Sequence, residues 1–594
     1  MRNFAFGILI CCITFACSEN TGDPPVPVST QQAEPPELPV ARSMEAIADE
    51  FLAAYLERYP ETGTNLSLPG ARHDRLFDNS LEALVAWQAR VDQWLKELDT
   101  AGRPRDIGTR DWVSYGVIRE TLAASKAARI CRNELWQASA MTAWYNLIPS
   151  LFEIQPVESV ELQQQALDRL RVLAVYIDTE IANLRKGLSL GYSTPRLTAV
   201  DVPAAVRGLL AADSPLLSPA VRADNAEYTV ELHQIFEQVT APAIERFARF
   251  MEAEYLVAAR EKIAITANPN GAECYPQLVR FHTTISPTAD QIHELGLQEI
   301  ASIRGEMQTI IESHFEGETI ESLMRNLNSN PEYTFRTRED VLNYALASLD
   351  TSKNAMPRAF GILPKADMLI KPYPAYREAN GTGEYHSSSE DGSRPGIYYI
   401  AVVDPTHRSV AGQQSVLYHE GYPGHHLQGA IALELGDRIH PIARYLWNSG
   451  YGEGWALYSE RVADELGLYS GPLDKLGLLS DQAARAARLV IDSGLHNKGW
   501  TRQQAVEYLL ANTAWPATDI ESEVDRYISW PGQANAYMLG MLEIMRLRGL
   551  AEASFGDNFD LREFHDRVLG TGSITLPMLE EIILSWIDEP AVAH

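Results

Sequence analysis

A proline inside a histidine-rich segment is the feature that most constrains this chain. His419 opens a segment of eight residues that also contains Pro423, Gly424, His425 and His426. In the common His-Glu-x-x-His arrangement, two histidines four residues apart face one metal ion from a single helix. Pro423 stands where the second of those histidines would lie, and proline inside a helix removes a backbone donor and clashes with the preceding turn.

The proline therefore predicts a distorted helix rather than a regular one. A bulge or kink at Pro423-Gly424 would absorb about two extra residues and return a later histidine to the side of His419. On that argument His419 and His425 form the best pair of metal ligands. His426 is expected either to support the site from behind or, if the distortion is larger, to be the ligand itself.

Two glutamates complete the predicted site. Glu420 follows the first histidine directly, where the general base of a zinc hydrolase belongs. Glu453 is 27 positions after His426 (453 − 426) on a second predicted helix, and it supplies the third ligand of a two-histidine, one-glutamate zinc site. Glu460, two turns further along that helix, is expected to orient a ligand histidine.

Two later segments offer groups that could stabilise a developing oxyanion. Arg485, Arg488, Asp492 and His496 recur at three- and four-residue steps along one helical face. His496 is one candidate donor, although a buried ion-pair network is the more common meaning of such a stripe. Tyr537, one turn into the helix that follows Trp530-Pro-Gly, is the preferred candidate.

Helical periodicity dominates from Ser43 onward, so the fold class is predicted to be mainly α. Ser43 and Ser80 are expected to cap the first long helices, and Ser286-Pro287 is expected to begin a later one. That later helix contains a second His-Glu pair, His293-Glu294, which lacks a partner histidine and is interpreted as structural. Further helices are predicted over roughly 478–495 and 533–550.

One segment favours β-structure instead. Residues 396–403 are aromatic and β-branched and lie between Pro-Gly and Asp-Pro turn signals. A strand just before a metal-binding helix suggests an edge strand that pairs with an extended substrate. A small structural hairpin is an equally good reading of the same residues.

Charge and the N-terminal sequence restrict the partners of the chain. A formal net charge of −29 leaves no excess of cations for nucleic acid. Residues 1–16 have the short basic start and apolar run of an export signal. Cys17 resembles a bacterial lipoprotein processing site, which predicts a lipid anchor in the membrane and a location in the cell envelope, with periplasmic or secreted protein as the alternative. Residues 17–42 are expected to be a disordered tether.

Export also bears on the cysteines that remain after processing. Cys131 and Cys274 would meet an oxidising compartment, so we expect a disulfide between them. Two buried free thiols are the alternative.

Several motifs together resemble the bacterial family called domain of unknown function 885. They are His-Glu-Gly-Tyr-Pro-Gly-His-His (419–426), Gly-Glu-Gly-Trp-Ala-Leu-Tyr (452–458), Asp492-x-Gly-x-His496 and Pro-Gly-Gln-Ala-x-Ala-Tyr537. That family is similar to the helical gluzincin metallopeptidases. The resemblance implies a two-lobed helical zincin-like (gluzincin) fold with a deep groove and a small β-sheet beside the metal. It also supports Glu453 as a ligand and Tyr537 as a substrate-stabilising group.

These observations predict an N-terminal helical lobe over 43–275 and a catalytic metal-binding lobe over 276–594. The leading functional hypothesis is a zinc-dependent peptidase of the cell envelope with a peptide substrate. A metal-dependent hydrolase or lyase acting on a non-peptide metabolite and a non-catalytic peptide-binding lipoprotein are the alternatives. The sequence leaves the substrate, the end of the peptide that is cut and the oligomeric state open.

Overall fold

Helices account for most of the chain, as the sequence predicts. A computed structural model describes residues 42–139, 141, 143–373, 378, 383–389 and 394–589. The predicted signal peptide, Cys17 and the predicted tether up to residue 41 lie outside these described residues. Among the described residues, no helix is both long enough and apolar enough to span a bilayer.

The first half of the fold is a succession of helices that begin where the sequence supplies caps. The side chains of Ser43 and Ser80 accept backbone N–H groups at the starts of α1 and α3, as predicted. The helices are α1 (Met44–Arg58), α2 (Pro60–Asn65), α3 (Leu81–Ala101), α4 (Arg110–Ala128), α5 (Trp144–Glu153), α6 (Val160–Ser189), α7 (Arg196–Ala199), α8 (Val202–Gly208), α9 (Ser218–Arg222), α10 (Ala226–Ile235), α11 (Ala241–Phe250), α12 (Leu256–Ala258) and α13 (Gly271–Thr283).

The second half contains the helices that surround the candidate site. They are α14 (Ala289–His314), α15 (Ile320–Asn326), α16 (Arg338–Ala355), α17 (Gln413–Glu420), α18 (His425–Glu434), α19 (Ile442–Tyr445), α20 (Ser449–Glu465), α21 (Pro472–Asn497), α22 (Arg502–Asn512), α23 (Ala517–Ser529), α24 (Ala536–Phe555), α25 (Leu561–Leu569) and α26 (Leu576–Ile587).

The start of α14 differs from the prediction by two residues. Thr288, not Ser286, is the N-cap, because Thr288 and Gln291 exchange hydrogen bonds in a capping box. His293 is buried on this helix, and its Nδ1 lies 2.9 Å from the Ser493 hydroxyl on α21. The structural interpretation of the second His-Glu pair therefore agrees with its contacts.

A three-stranded sheet, the only one among the described residues, lies between α16 and α17. Its strands are β1 (Met368–Pro372), β2 (Glu384–His386) and β3 (Gly396–Ile400). The order is β1-β3-β2, with β3 parallel to β1 and antiparallel to β2. The predicted strand at 396–403 exists but is shorter, and it is the central strand. Because both of its edges are paired, it is not available to an extended substrate, and the edge-strand reading of this segment was wrong.

Two hydrophobic clusters form the interior. The smaller cluster is built mainly by α5 to α11, whereas the larger one combines α1, α3 and α4 with the helices from α13 onward. Contacts group the chain from Arg42 onward into one compact unit. The two lobes divided after residue 275 remain a prediction, since the larger cluster draws on both sides of that position.

The predicted disulfide between Cys131 and Cys274 is present. It links the segment after α4 to α13 across 143 positions of sequence. Both residues are buried in the larger cluster. The bond therefore ties the segment after α4 to α13 within the larger cluster, which also includes the helices around the candidate site.

Candidate metal centre

The helix that begins the histidine-rich segment ends at Glu420, before the proline. The Tyr422–Pro423 peptide bond is cis, and a new helix, α18, begins at His425. The predicted bulge is thus a complete break between two helices. A regular helix fails here because Pro423 cannot donate a backbone hydrogen bond within it.

Gly424 allows the second helix to fold back onto the first. A Cβ atom at this position would lie 1.9 Å from the backbone oxygen of His419, so only glycine fits without a shift. The close approach brings the rings of His419 and His425 together, with centroids 4.8 Å apart and an interplanar angle of 85°. The break between the two helices therefore brings His425 to the side of His419, which is what the sequence analysis expected a bulge to do.

Both histidines face one carboxylate oxygen on α20. The Oε2 atom of Glu453 lies 3.5 Å from His419 Nε2 and 3.4 Å from His425 Nε2. These separations are long for direct hydrogen bonds. They match the spacing of about 3.3–3.6 Å between ligand atoms that lie about 2.0–2.2 Å from a tetrahedral zinc ion. The donor set and its spacing fit zinc.

Glu460 fixes the orientation of His419. Its Oε1 lies 2.9 Å from His419 Nδ1, and its Oε2 accepts a hydrogen bond of 3.0 Å from the Ser415 hydroxyl. A proton held at Nδ1 by this carboxylate leaves Nε2 of His419 free to act as a ligand. The carboxylate is completely buried. The predicted supporting role of Glu460 agrees with this geometry.

The electrostatics of the cluster are those of a site built for a cation. Burial alone would lower the pKa of His419, but the nearby carboxylates of Glu453 and Glu460 outweigh it and raise the pKa to about 9. Burial would likewise raise the pKa of Glu453, but the two histidines outweigh it and hold the pKa well below its ordinary value. In the absence of a metal ion, a proton on His419 supplies positive charge beside the Glu453 carboxylate.

Glu420 stands beside the histidines on the cavity side. One ligand atom from each of His419, Glu420 and His425 lies within 4.8 Å of the others. Glu420 is therefore a second candidate for the carboxylate ligand. Glu453 differs from Glu420 in that one of its oxygens faces both imidazoles.

His426 points away from the cluster, toward the sheet. Its Nδ1 lies 2.8 Å from the Tyr385 hydroxyl, and its Nε2 lies 3.0 Å from the Tyr422 hydroxyl and 3.2 Å from the Ala366 carbonyl oxygen. Burial lowers the pKa of His426 to about 4. The alternative in which His426 binds the metal is not compatible with this placement, because both ring nitrogens are engaged elsewhere.

Tyr537 reaches the cluster because α20 and α24 cross in backbone contact. A Cβ at Gly454 would lie 2.5 Å from the Cα of Gly540, so glycines permit the crossing. The Tyr537 ring stacks near His419, with centroids 6.5 Å apart. The guanidinium of Arg488 lies 4.4 Å from the centre of the same ring. Tyr537 is therefore held between a cation and a metal ligand.

The hydroxyl of Tyr537 is kept protonated. Burial, followed by the negative charge of Glu453, raises its pKa above the ordinary value. A protonated phenol beside the cluster is a hydrogen-bond donor for an oxygen that gains negative charge. The placement of Tyr537 agrees with the role expected from the sequence.

The structure does not bring His496 to the cluster. Its Nδ1 accepts a hydrogen bond of 3.1 Å from the Ile265 backbone N–H, and its Nε2 donates one of 2.9 Å to the Tyr527 carbonyl. The ring is completely buried, and burial lowers its pKa. His496 therefore holds backbone segments together and has no free nitrogen for an oxyanion.

Asp492, on the same stripe, positions the segment that leads into α24. Its carboxylate accepts hydrogen bonds from Gly532 N at 3.0 Å and from Asn535 Nδ2 at 2.8 Å. Tyr275 donates a third, at 2.5 Å. Asp492 acts on the site through the start of the helix that carries Tyr537, not by contact with the histidines.

One cavity reaches the cluster at Glu420, and a second cavity lies near it. A cavity of about 780 Å³ is lined by Glu420 and by residues of α21 and α23. A second cavity of about 900 Å³ is lined by β2, α18 and Trp447, whose ring lies 5.7 Å from that of His425. Sequence reasoning missed Trp447, which lies in the segment before α20 and is 59% exposed. An exposed hydrophobic side chain of that size becomes a candidate for the site only once the structure shows that it lies beside the cluster.

These elements define a class of protein. Its members are mainly helical chains in which two histidines and one glutamate cluster beside a small mixed sheet. The chain belongs to the family described as bacterial protein of unknown function (DUF885), whose model matches residues 60–583. No curated protein matches the chain at a significant level.

Two solved structures resemble the chain over most of its length. One is described as "the putative lipoprotein from Colwellia psychrerythraea"; it is 27% identical with a TM-score of 0.86, over 93% of this chain and 100% of that one. The other, "a putative lipoprotein of unknown function from Shewanella oneidensis", is 18% identical with a TM-score of 0.73, over 92% of this chain and 100% of that one. The second likeness concerns the fold alone.

Proposed function

We propose that this protein is a zinc-dependent peptidase that hydrolyses peptides in the bacterial cell envelope. The observation that carries the proposal is the convergence of two imidazole nitrogens on Glu453 Oε2, at 3.5 and 3.4 Å, directly beside Glu420. Polar atoms that converge at this spacing without closing short hydrogen bonds favour a shared cation.

His419, His425 and Glu453 would hold the ion. When bound, zinc supplies Lewis-acid activation of a water molecule and of a substrate carbonyl. Glu460 keeps the proton of His419 on Nδ1, so that the ligand nitrogen stays unprotonated.

Glu420 and Tyr537 would carry out the proton transfer and charge stabilisation. Glu420 takes a proton from the attacking water and delivers it to the amine that leaves when the peptide C–N bond breaks. Tyr537 donates its hydroxyl hydrogen to the carbonyl oxygen as that oxygen gains charge. The two groups lie on different helices, so a substrate carbonyl can be placed between them.

The two cavities favour an extended substrate. One reaches Glu420 and the other reaches Trp447 beside His425, so residues on both sides of a cleaved bond would have room to bind. A peptide extends through such a site, whereas a small metabolite would fill one cavity only. The similarity of the motifs to gluzincin peptidases supports the same choice and a gluzincin-like arrangement of the fold.

A lipid anchor on Cys17 would keep the protein at the membrane. Both similar structures are described as lipoproteins, which supports the export signal and processing site inferred from residues 1–17. The disulfide between Cys131 and Cys274 suits an oxidising compartment.

The substitution Glu420→Gln tests the proposal. We expect zinc content to stay at one ion per chain while hydrolysis of a peptide library falls by about 10²–10⁴-fold, the usual contribution of a general base. Metal analysis and mass spectrometry of the digest, with and without a chelator, measure the two quantities. Glu294→Gln, in the second His-Glu pair, is the matched control and should leave both unchanged.

Two results would contradict the proposal. The first is chelator-insensitive digestion, which would exclude a metal-dependent reaction. The second is a zinc-loaded protein that cleaves no member of the library, which would favour the non-peptide hydrolase or the binding lipoprotein instead.

A further inference from the structure

The cavity that reaches Glu420 contains a concentration of arginines that the proposed reaction does not use. Arg408, Arg485 and Arg488 all line it. Four carboxylates, those of Glu420, Asp481, Asp519 and Glu523, line the same cavity, so the cavity as a whole carries no excess of positive charge. A buried guanidinium ordinarily has its N–H groups occupied by acceptors.

Arg488 belongs to a buried group with one more positive than negative charge. Its Nε donates 3.0 Å to the Tyr527 hydroxyl, and one terminal nitrogen lies 3.0 Å from Glu523 Oε2. Arg526 pairs with that same carboxylate at 3.0 Å. Two guanidinium groups therefore share one carboxylate. The group as a whole keeps an excess positive charge next to Tyr537.

Arg488 also has an N–H group free for a ligand. Its other terminal nitrogen is buried and has no hydrogen-bond partner among the described residues. The side chain is only 6% exposed, so water does not readily take the place of that partner. Leaving a charged donor unpaired in the interior is unfavourable. An acceptor that enters the cavity would remove that cost.

Arg408 repeats the pattern on another wall of the same cavity. Its Nε is buried and has no hydrogen-bond partner within the described part of the chain. Burial lowers its pKa, although nearby acidic groups, among them Asp519 of the same cavity, act in the opposite direction. The Nε of Arg485 is likewise buried without a hydrogen-bond partner among the described residues, but Asp481 lies 3.5 Å from one of its terminal nitrogens. Asp519, which also lines the cavity, is exposed.

We propose that this cavity binds a carboxylate of the substrate through Arg408 and Arg488, beside the bond that is cleaved. The inference rests on the proposed function and narrows its substrates to peptides that place a carboxylate there. Guanidinium forks recognise carboxylates in preference to neutral groups because they offer paired N–H donors. The carboxylate comes from the C-terminus of the peptide or from an aspartate or glutamate side chain.

Three matched probes distinguish the sources. They are N-acetyl-tetra-alanine as the free acid, the same peptide as its C-terminal amide, and the amide with one alanine replaced by glutamate. Binding to the purified Glu420→Gln protein is measured by calorimetry, and hydrolysis by the unmodified protein is followed by mass spectrometry. We expect at least one acidic probe to bind and to react about 10-fold or more better than the neutral amide.

Arg408→Gln is the informative variant, because Arg408 has no contact with the metal cluster. We expect this variant to lose most of the preference for the acidic probe, while its binding and hydrolysis of the neutral amide stay unchanged. Arg488→Lys keeps the charge but loses the second N–H group, so it should weaken the binding of the acidic probe to a smaller extent. Arg304→Gln is the control, since Arg304 pairs with Glu321 outside the cavity. Thermal unfolding shows that each variant is folded.

The outcomes separate this inference from the proposed function. A preference for the free acid alone assigns the C-terminal carboxylate, and a preference for the glutamate amide assigns a side chain. Equal treatment of all three probes, or a preference that survives Arg408→Gln, overturns the inference even if peptides are cleaved. Arg408-dependent binding without any hydrolysis supports the carboxylate site and contradicts the peptidase.

Discussion

Two consecutive histidines on α18 face opposite environments. The Nε2 atom of His425 is 3.4 Å from a carboxylate oxygen that also faces His419, and its Nδ1 has no partner among the described residues. His426 instead places both ring nitrogens within hydrogen-bond distance of Tyr385, Tyr422 and Ala366. Successive residues on a helix diverge by about 100°. Residue type alone therefore says little about which of two adjacent histidines is a ligand.

The difference lies in how well the polar atoms are satisfied. On the sheet side, every nitrogen of His426 has a protein partner, which is the normal condition of a buried imidazole. On the Glu453 side, the imidazole nitrogens of His419 and His425 face one carboxylate oxygen. Their separations from that oxygen fit atoms that bind one shared ion better than atoms that form hydrogen bonds with one another. His496 belongs to the first kind of environment, since both of its nitrogens contact backbone groups.

The largest expected effect separates the two histidines directly. We expect His425→Ala to lose zinc at stoichiometric concentration and to lower kcat/KM by about 10³-fold or more, since the ion supplies several kcal/mol of transition-state stabilisation. His426→Ala should retain zinc, because that ring does not face Glu453. Metal analysis after dialysis measures both variants. Zinc loss from His426→Ala with retention in His425→Ala would reverse the assignment.

Tyr537 offers the next largest effect. Tyr537→Phe removes only the hydroxyl and should lower kcat by about 10²–10³-fold, the usual contribution of one oxyanion donor. Zinc content and thermal stability should stay the same. Tyr418→Phe is the matched control, because its hydroxyl donates to the Leu468 carbonyl in the same helical layer. An equal loss in both variants would contradict a direct role for Tyr537.

Substitution of Glu460 tests how far zinc binding depends on the contact between this carboxylate and His419. Glu460→Gln should weaken zinc binding by about 10–100-fold, because the amide no longer holds the proton of His419 with a full charge. Competition with a fluorescent chelator measures the affinity. The expected loss is confined to metal binding, with kcat at saturating zinc changed far less. An unchanged affinity would show that Ser415 and the surrounding helices orient His419 without the carboxylate.

Much of the cluster could be predicted from local sequence because its constraints are local. Pro423 excludes a regular helix, and that single fact leads to His425 as the partner of His419. Glu453 follows from its spacing and its glycine-rich helix. The orientation of His496 could not be predicted in this way. It depends on Ile265 and the Tyr527 carbonyl, which are 231 and 31 residues away in sequence.

Other features depend on contacts that sequence patterns do not encode. The segment 396–403 has the composition of a strand, but its central position follows from pairing with β1 and β2 on both sides. Arg485 and Arg488 of the first cavity lie on α21, but Arg408 comes from the segment before α17, and the missing acceptors of these arginines are visible only once the neighbours are known. The helical class, by contrast, follows from periodicity and from caps such as Ser43 and Ser80.

The smallest expected effect is a difference in pH dependence between the two sides of α18 in metal-free protein. The folded pKa of His426 is about 4, below the value near 6.5 of an unfolded chain. The unfolded state therefore binds more protons between these values, and the stability that neutral His426 allows is lost as the pH falls from about 6.5 toward 4. His419 has the opposite sign. Its folded pKa of about 9 means that its contribution is present below about 6.5 and is lost as the pH rises toward 9.

Urea unfolding of metal-free protein and of His426→Gln, at pH 6.5 and 5.5, measures the first contribution. We expect the unmodified protein to lose about 1 kcal/mol more than the variant over this interval, because glutamine does not titrate. Comparing the two proteins cancels the other buried histidines, such as His565, whose pKa burial also lowers. Equal losses would mean that His426 is already protonated in the folded protein. Its contacts with the two tyrosine hydroxyls and the Ala366 carbonyl would then be those of a cation, and the contrast with His425 would no longer be one between a satisfied neutral ring and a metal ligand.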